Sequence, residues 1–287
     1  MRLLTVFVAL CLAGWLWVEL IEPNWYRLRR ENVRVKKSLS KPLTILHLSD
    51  LHFVRERFFL KRFFDRLSRL KPDFVFVTGD LIDNATGIEP CVRNLAKLKS
   101  KYGTYVVWGN HDHRVYPPFE VLIHMITGKD FTKPRPAYEK EHLKQSLEKA
   151  GFHLLLNRNT SVKLSDGRTA CVIGIDDPIT AHANFNEAFQ GIKEGALCLT
   201  LVHAPRAFPT LGRRGTDVAF AGHTHGGQLR FPVIGPVPLA YRISPIIDST
   251  ERYGFAGVVS RGLGAQPIGR QRLLCRPEAV LVTVQGL

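Results

Sequence analysis

Disulfide chemistry has almost nothing to work with in this chain. Its 287 residues include five cysteines, Cys11, Cys91, Cys171, Cys198 and Cys275, an odd number scattered without a pairing pattern. That usage fits a reducing compartment and excludes a disulfide-stapled secreted scaffold. Acidic residues are also scarce, 25 against 40 lysines and arginines, for a net charge of +15 and a pI near 9.9. Such an imbalance points to an anionic partner, whether a membrane surface, an anionic substrate or nucleic acid; a merely soluble basic face is the plain alternative. Internal repeats and low-complexity tracts are absent from the sequence.

What is present begins with an apolar run. Leu3 to Val18 are almost wholly apolar, and past Glu19 the run continues through Leu20 and Ile21, long enough to just span a bilayer. Ala9-Leu10-Cys11 and Leu12-Ala13-Gly14 make a poor cleavage site, and no lipobox cysteine follows, so an uncleaved anchor over residues 1–22 is expected rather than a signal peptide. Arg27, Arg29, Arg30, Arg34, Lys36, Lys37 and Lys41 form a basic juxtamembrane segment within residues 23–41, against only Arg2 before the run. The positive-inside rule places the rest of the chain on the cytoplasmic face of the inner membrane, with Trp15, Trp17, Trp25 and Tyr26 as interfacial aromatics. Residues 42–287 suit one α/β domain.

Within that domain, side chains of metal-binding type recur. They run Asp50-x-His52, Gly79-Asp80, Gly109-Asn110-His111-Asp112, His203 and Gly222-His223-Thr224-His225. Asp50, Asp80 and Asn110 are 30 residues apart in each step, about one strand-helix-strand unit. Leu43–Leu46, Phe74–Val77 and Thr104–Val107 read as buried parallel strands, with helical periodicity over Phe58–Leu70 and Glu89–Lys99 between them. This is βαβαβ, whose sites form beyond the carboxyl ends of the strands. Leu197–Val202 and Asp217–Ala221 repeat the arrangement and end in His203 and in the His223/His225 pair. His47 differs in strand parity from Asp50 and His52 and is expected to face the core. His113, His124, His142, His153 and His182 read as ordinary, not as ligands.

Two aspartates, one asparagine and four histidines are too many donors for one ion, and two ions bridged by Asp80 fit. Mixed nitrogen and oxygen donors without thiolate suit manganese first, with iron, zinc, nickel or magnesium as alternatives. A pair of ions about 3.5–4 Å apart clamps the attacking and leaving oxygens of a displacement at phosphorus and acidifies a water between them. His111, placed by Asn110, is the group to protonate the departing oxygen.

These residues resemble the five motifs of the calcineurin-like metallophosphoesterases, in order, over about residues 43–285. The resemblance implies a four-layer α/β/β/α sandwich. It also implies one metal on Asp50, His52, Asp80 and His225, and the other on Asp80, Asn110, His203 and His223. His111 would meet the leaving oxygen, and Asp112 would orient it. The anchor, Ile21-Glu22-Pro23 with the basic stretch after it, and Ser260-Arg261-Gly262-Leu263-Gly264 resemble the bacterial membrane-associated branch. Some members of that branch are similar in role to UDP-2,3-diacylglucosamine pyrophosphatases of lipid A synthesis, which release UMP and lipid X. The implied partners are anionic membrane lipids and a phosphate-containing, lipid-linked nucleotide sugar; the anchor makes a nucleic-acid partner awkward. A phosphodiesterase of other substrate and an inactive binding protein stay open. A proline-broken insertion at 113–138 reads either as a lid beside the site or as a satellite helix. Arg114, Arg230 and Arg261 lie next to the motifs as candidates for holding phosphate.

Overall fold

The computed structural model describes residues 2–116, 123, 127, 135–136, 139–237, 244–264 and 270–287. Most of the expected lid at 113–138, His124 included, lies outside these residues.

Two sheets stacked face to face organise the domain. The first contains β1 (Arg27–Val35), β2 (Leu43–Leu48), β3 (Phe74–Thr78), β4 (Thr104–Val107), β5 (His153–Leu154) and, from the end of the chain, Glu278–Gly286. The second contains β6 (Arg158–Lys163), β7 (Thr169–Gly174), β8 (Leu197–Leu201), β9 (Val218–Ala221) and β10 (Ala256–Val259), so the terminal strand is β11. In the first sheet the order is β1-β11-β2-β3-β4-β5, with β2 to β5 parallel and β11 antiparallel to β2. The second runs β10-β9-β8-β7-β6, parallel except for β6.

Alternation along each strand sorts its side chains between two cores. Phe74 and Phe76 of β3 enter the space between the sheets, where they meet Leu199, Leu201 and Phe220, while Val75 and Val77 pack under helices. Those helices are α2 (Phe58–Leu67), α3 (Ile88–Leu95) and α4 (Lys140–Lys149). A third core, around Phe208 and Leu211 of α6 (Phe208–Gly212) and Ala188 of α5 (Phe185–Ala188), covers the outer face of the second sheet. The layers are thus α/β/β/α. His47 shares the parity of Leu43 and Ile45, and its ring faces Phe220 across the inter-sheet core at 5.4 Å. Helix α2 stops at Leu67, short of the Leu70 read from periodicity, because Pro72 bars the helical conformation at Lys71.

The amino-terminal part corrects two expectations. Residues 27–35 do not run free as a juxtamembrane segment: they form β1, in parallel register with β11 from Arg27/Glu278 to Val35/Gly286. Their arginines stay near solvent while Val33 and Val35 are buried, and Glu278, fully buried, pairs with both Arg27 and Arg29. Tyr26 is no interfacial aromatic either; it is buried and stacks on Phe63 of α2 at 5.5 Å. Ahead of it, α1 (Arg2–Leu16) continues through tighter and wider turns to Asn24. The most apolar 18-residue stretch within residues 2–24 has a mean hydropathy of 2.1 and no buried share, and at ~1.5 Å per residue the 23 residues reach across a bilayer core.

Candidate metal centre

The carboxyl ends of β2, β3 and β4 in one sheet and of β8 and β9 in the other converge at one place. They deliver the seven metal-type side chains there on unusual backbone. Asp50, His52, Asp80, His223 and His225 all have positive φ, between 45° and 68°. Left-handed residues of this kind cost of order 1 kcal/mol or more each and persist only where the surroundings over-determine them. Here strand-end hydrogen bonds do so: Asp50 N donates to Gly79 O, and His52 N to Asp80 O. Close approach does the rest, since a Cβ on Gly79 would meet the Gly109 backbone and lie 2.8 Å from His203 Nδ1.

Three groups of donors form, the third being His52, Asp83 and His111, and Asp80 touches the other two. In the first, Asp50, His52 and His225 bring their ligand atoms within 4.8 Å of one another, with His52 Nε2 3.7 Å from Asp80 Oδ2. In the second, Asp80, His203 and His223 meet the same limit. There His203 Nε2 lies 3.2 Å from Asp80 Oδ2, 3.1 Å from Asn110 Oδ1 and 3.1 Å from His223 Nδ1. His203 Nδ1 meanwhile donates to the Thr78 carbonyl at 2.8 Å, which leaves Nε2 as the free face of the ring. Oxygen and nitrogen lone pairs pointed at one spot repel unless a cation stands between them. Among the described residues, His52 Nε2 and His225 Nδ1 are also buried without a hydrogen-bond partner, an arrangement expected of ligands. The donor set fits two divalent cations in hardness and number.

The donors also shift one another's protonation. Burial pushes the His203 pKa down, but Asp80, by charge and hydrogen bond, and Asp50 carry it up to about 10. His52 is likewise pushed down by burial and carried to about 9, chiefly by Asp83. His223 falls to about 3 through burial and the neighbouring His203, and His225 falls well below its ordinary value through burial and His52. Asp80, despite burial, is held well below the carboxylate range by His203 and His111.

Asp112 corrects the expectation that it orients His111. Its carboxylate accepts from three backbone N–H groups, those of Asp80 (2.7 Å), Gly109 (2.8 Å) and Leu81 (3.0 Å), and so fixes the crossing of the β3 and β4 loops. Burial and Asp80 raise its pKa to about 6, against the opposing pull of the Gly109 and Leu81 N–H groups. The acid beside His111 is Asp83, whose Oδ1 lies 3.5 Å from His111 Nδ1 and 2.7 Å from His52 Nδ1. Asp83 thereby orients a ligand ring and the proposed acid together. It stands in Gly79-Asp80-Leu81-Ile82-Asp83, and a carboxylate so soon after a ligand was the signal that could have found it.

His111 lies against the Tyr116 ring, with centroids 4.7 Å apart, and its backbone N donates to Asp80 Oδ1 at 2.8 Å. Arg230 and Arg261 sit at the rim beside Gly226, but Arg230 binds Asp248 at 2.9 Å and the Gly226 carbonyl, and Arg261 lies 3.9 Å from the same aspartate. Arg114 is half-buried in a short strand pairing with Pro136. Arg206, exposed shortly after His203, helps depress His223 and was not read from the sequence. His113 stands apart from the donor groups and binds Asp176 (2.7 Å) and Lys140 (2.8 Å).

Comparison with known proteins bears on this arrangement. A family model described as calcineurin-like phosphoesterase matches residues 43–227. The chain is 30% identical to the uncharacterized metallophosphoesterase YkoQ of Bacillus subtilis over 67% of its own length and 64% of that protein's, just under two thirds. It is 29% identical to the UDP-2,3-diacylglucosamine pyrophosphatase LpxG of Chlamydia muridarum, covering 80% of this chain and 78% of that one. Phosphodiesterase YaeI of Escherichia coli is similar over a longer span, 27% identical across 94% of this chain and 92% of its own.

Proposed function

The chain belongs to the calcineurin-like phosphoesterase family of metal-dependent hydrolases, and from that premise we propose a two-metal phosphoester hydrolase at the inner membrane that cleaves the pyrophosphate of a lipid-linked nucleotide sugar. The observation that carries the two-metal reading is Asp80, whose carboxylate lies within 3.7 Å of a histidine from each donor group. One cation would be held by Asp50, His52, Asp80 and His225, the other by Asp80, Asn110, His203 and His223, with manganese the first choice. When bound, such ions polarise the phosphoryl oxygens and acidify water at neutral pH. The chain's own groups do the rest. His111, oriented by Asp83, donates a proton to the departing phosphate oxygen, and Asp112 holds the two loops that carry Asp80 and His111 at a fixed spacing.

Support for the lipid-linked substrate comes from the similarity to LpxG, the apolar helix over residues 2–24 and the net charge of +15. The basic residues after that helix favour the cytoplasmic face for the domain. A phosphodiesterase of broader or different substrate is the second reading, favoured by the near full-length similarity to YaeI. An inactive binding protein fits poorly with a complete donor set. The test is an assay of the purified full chain with Mn²⁺ on UDP-2,3-diacylglucosamine and on bis-p-nitrophenyl phosphate. Release of UMP from the lipid, lost in Asp80→Ala and His111→Ala, is the expected result. Cleavage of the diester alone would remove the lipid A assignment, and cleavage of neither by metal-loaded protein would remove both enzyme readings.

A further inference from the structure

The foot of the apolar helix is built into the wall of the metal centre. Arg272 N donates to the Val18 carbonyl at 3.1 Å, and Glu22 Oε1 accepts from Cys275 N at 2.6 Å. The Cys275 thiol in turn reaches the His225 carbonyl at 3.2 Å. Because β1 and β11 run antiparallel to β2, this foot lies at the end of the first sheet where the metal-type residues gather.

The first turn of α2 comes to the same end. Arg57 donates to the Leu51 carbonyl at 3.0 Å, next to His52, and Tyr26, which follows the foot, stacks on Phe63 one turn along the helix. Phe58 and Phe59 are 63% and 54% exposed there, although apolar positions further along α2 are buried. Two adjacent exposed phenylalanines beside a bilayer-length helix need a cover of their own.

Unpaired cations surround them. Among the described residues the exposed Lys61, Arg62 and Arg270 have no carboxylate partner, whereas Arg57 is held inward by the Leu51 carbonyl and the Phe53 ring, with its Nε buried. Arg62 lies over the Phe58 ring at 5.6 Å.

We propose that the start of α2, Phe58-Phe59 with Lys61 and Arg62, docks on the anionic headgroups of the leaflet in which α1 stands, so that the metal centre opens at the lipid–water boundary. The phenylalanines enter the headgroup–acyl boundary and the two basic side chains meet lipid phosphates. A lipid-borne phosphoester then reaches His111 without leaving the membrane. This docking rests on the reading of residues 2–24 as an anchor.

Nitroxide labels on the full chain test it. Four of the five native cysteines are buried, so Cys11→Ser provides the background for Phe58→Cys, for Phe59→Cys as a second position, and for Glu194→Cys at the opposite end as control. In phosphatidylcholine–phosphatidylglycerol vesicles, collision with oxygen over a water-soluble nickel chelate should be several-fold more favoured at both phenylalanine positions than at Glu194. That preference should fall in neutral phosphatidylcholine vesicles. Water-like labels on protein that co-floats with the vesicles would overturn the docking alone, and equal preference in both vesicle types would overturn its charged part. Failure to co-float would overturn the anchor reading together with it.

Discussion

His203 lies within reach of three other donor atoms at one nitrogen, and that crowding is where the chemistry starts. In the metal-free chain His203 and His52 keep protons to about pH 10 and about pH 9, so each must release one before it can donate to a cation. Apparent Mn²⁺ affinity should therefore rise with pH from 6 toward 9, by up to about tenfold per unit for each proton released, in a titration at fixed ionic strength; a flat profile would contradict this. The same two groups act oppositely on the metal-free fold. Their raised pKa values add stability that is fully present below the unfolded value near 6.5 and is lost as pH climbs through 9 to 10. His111→Ala should lower kcat by ~10²–10⁴ while metal content by mass spectrometry stays at the wild-type level, since His111 shares a donor group only with His52 and Asp83, and His52 keeps Asp50 and His225 beside it. Asp112→Asn should reduce stability by about 2–4 kcal/mol in thermal unfolding, because an amide cannot accept from all three N–H groups. The seven donors were legible because strand periodicity put each at a strand end. The partner of His111 was not, since sequence adjacency favoured Asp112 while the positive φ at Asp80 turns the loop so that Asp83 arrives there instead.

At the level of elements, β1 shows what pattern alone misses. Arg27 to Val35 is mostly charged, with Arg29-Arg30-Glu31-Asn32 breaking any alternation, so it reads as a basic tether, and only the far end of the chain supplies its partner, β11. Glu278 holds the two together from a buried position, so Glu278→Ala should cost ~2–3 kcal/mol, near the lower limit for a broken buried pair because both arginines keep some contact with water. Hydrogen exchange should then show the amides of residues 27–35 opening ahead of β2 and β3; unchanged protection there would count against the role given to Glu278. The βαβαβ half was readable because each strand is apolar on both faces and each crossover is short. Which strand ends belong to the second sheet was not, because Leu197–Leu201 and Val218–Ala221 are as apolar as β2 to β4. Pairing between β8 and β9 distinguishes them from the first sheet.

For the whole molecule, charge and hydropathy act together. On the proposed anchoring, the apolar helix rooted at the site end sets which end meets the membrane, and the chain's net charge of +15 favours an anionic leaflet there. Composition disclosed the charge and the helix, but not that the helix foot touches the loops around His225, which depends on contacts between residues some 250 positions apart. The account as a whole stands on two cations sharing Asp80. The measurement that tests it most directly is the number of Mn²⁺ ions bound per chain in purified full-length protein, taken with its turnover of bis-p-nitrophenyl phosphate. The account expects about two ions and hydrolysis in the wild type, with both ions and hydrolysis lost in Asp80→Ala; a single ion per chain, or two ions undisturbed by that substitution, would contradict it.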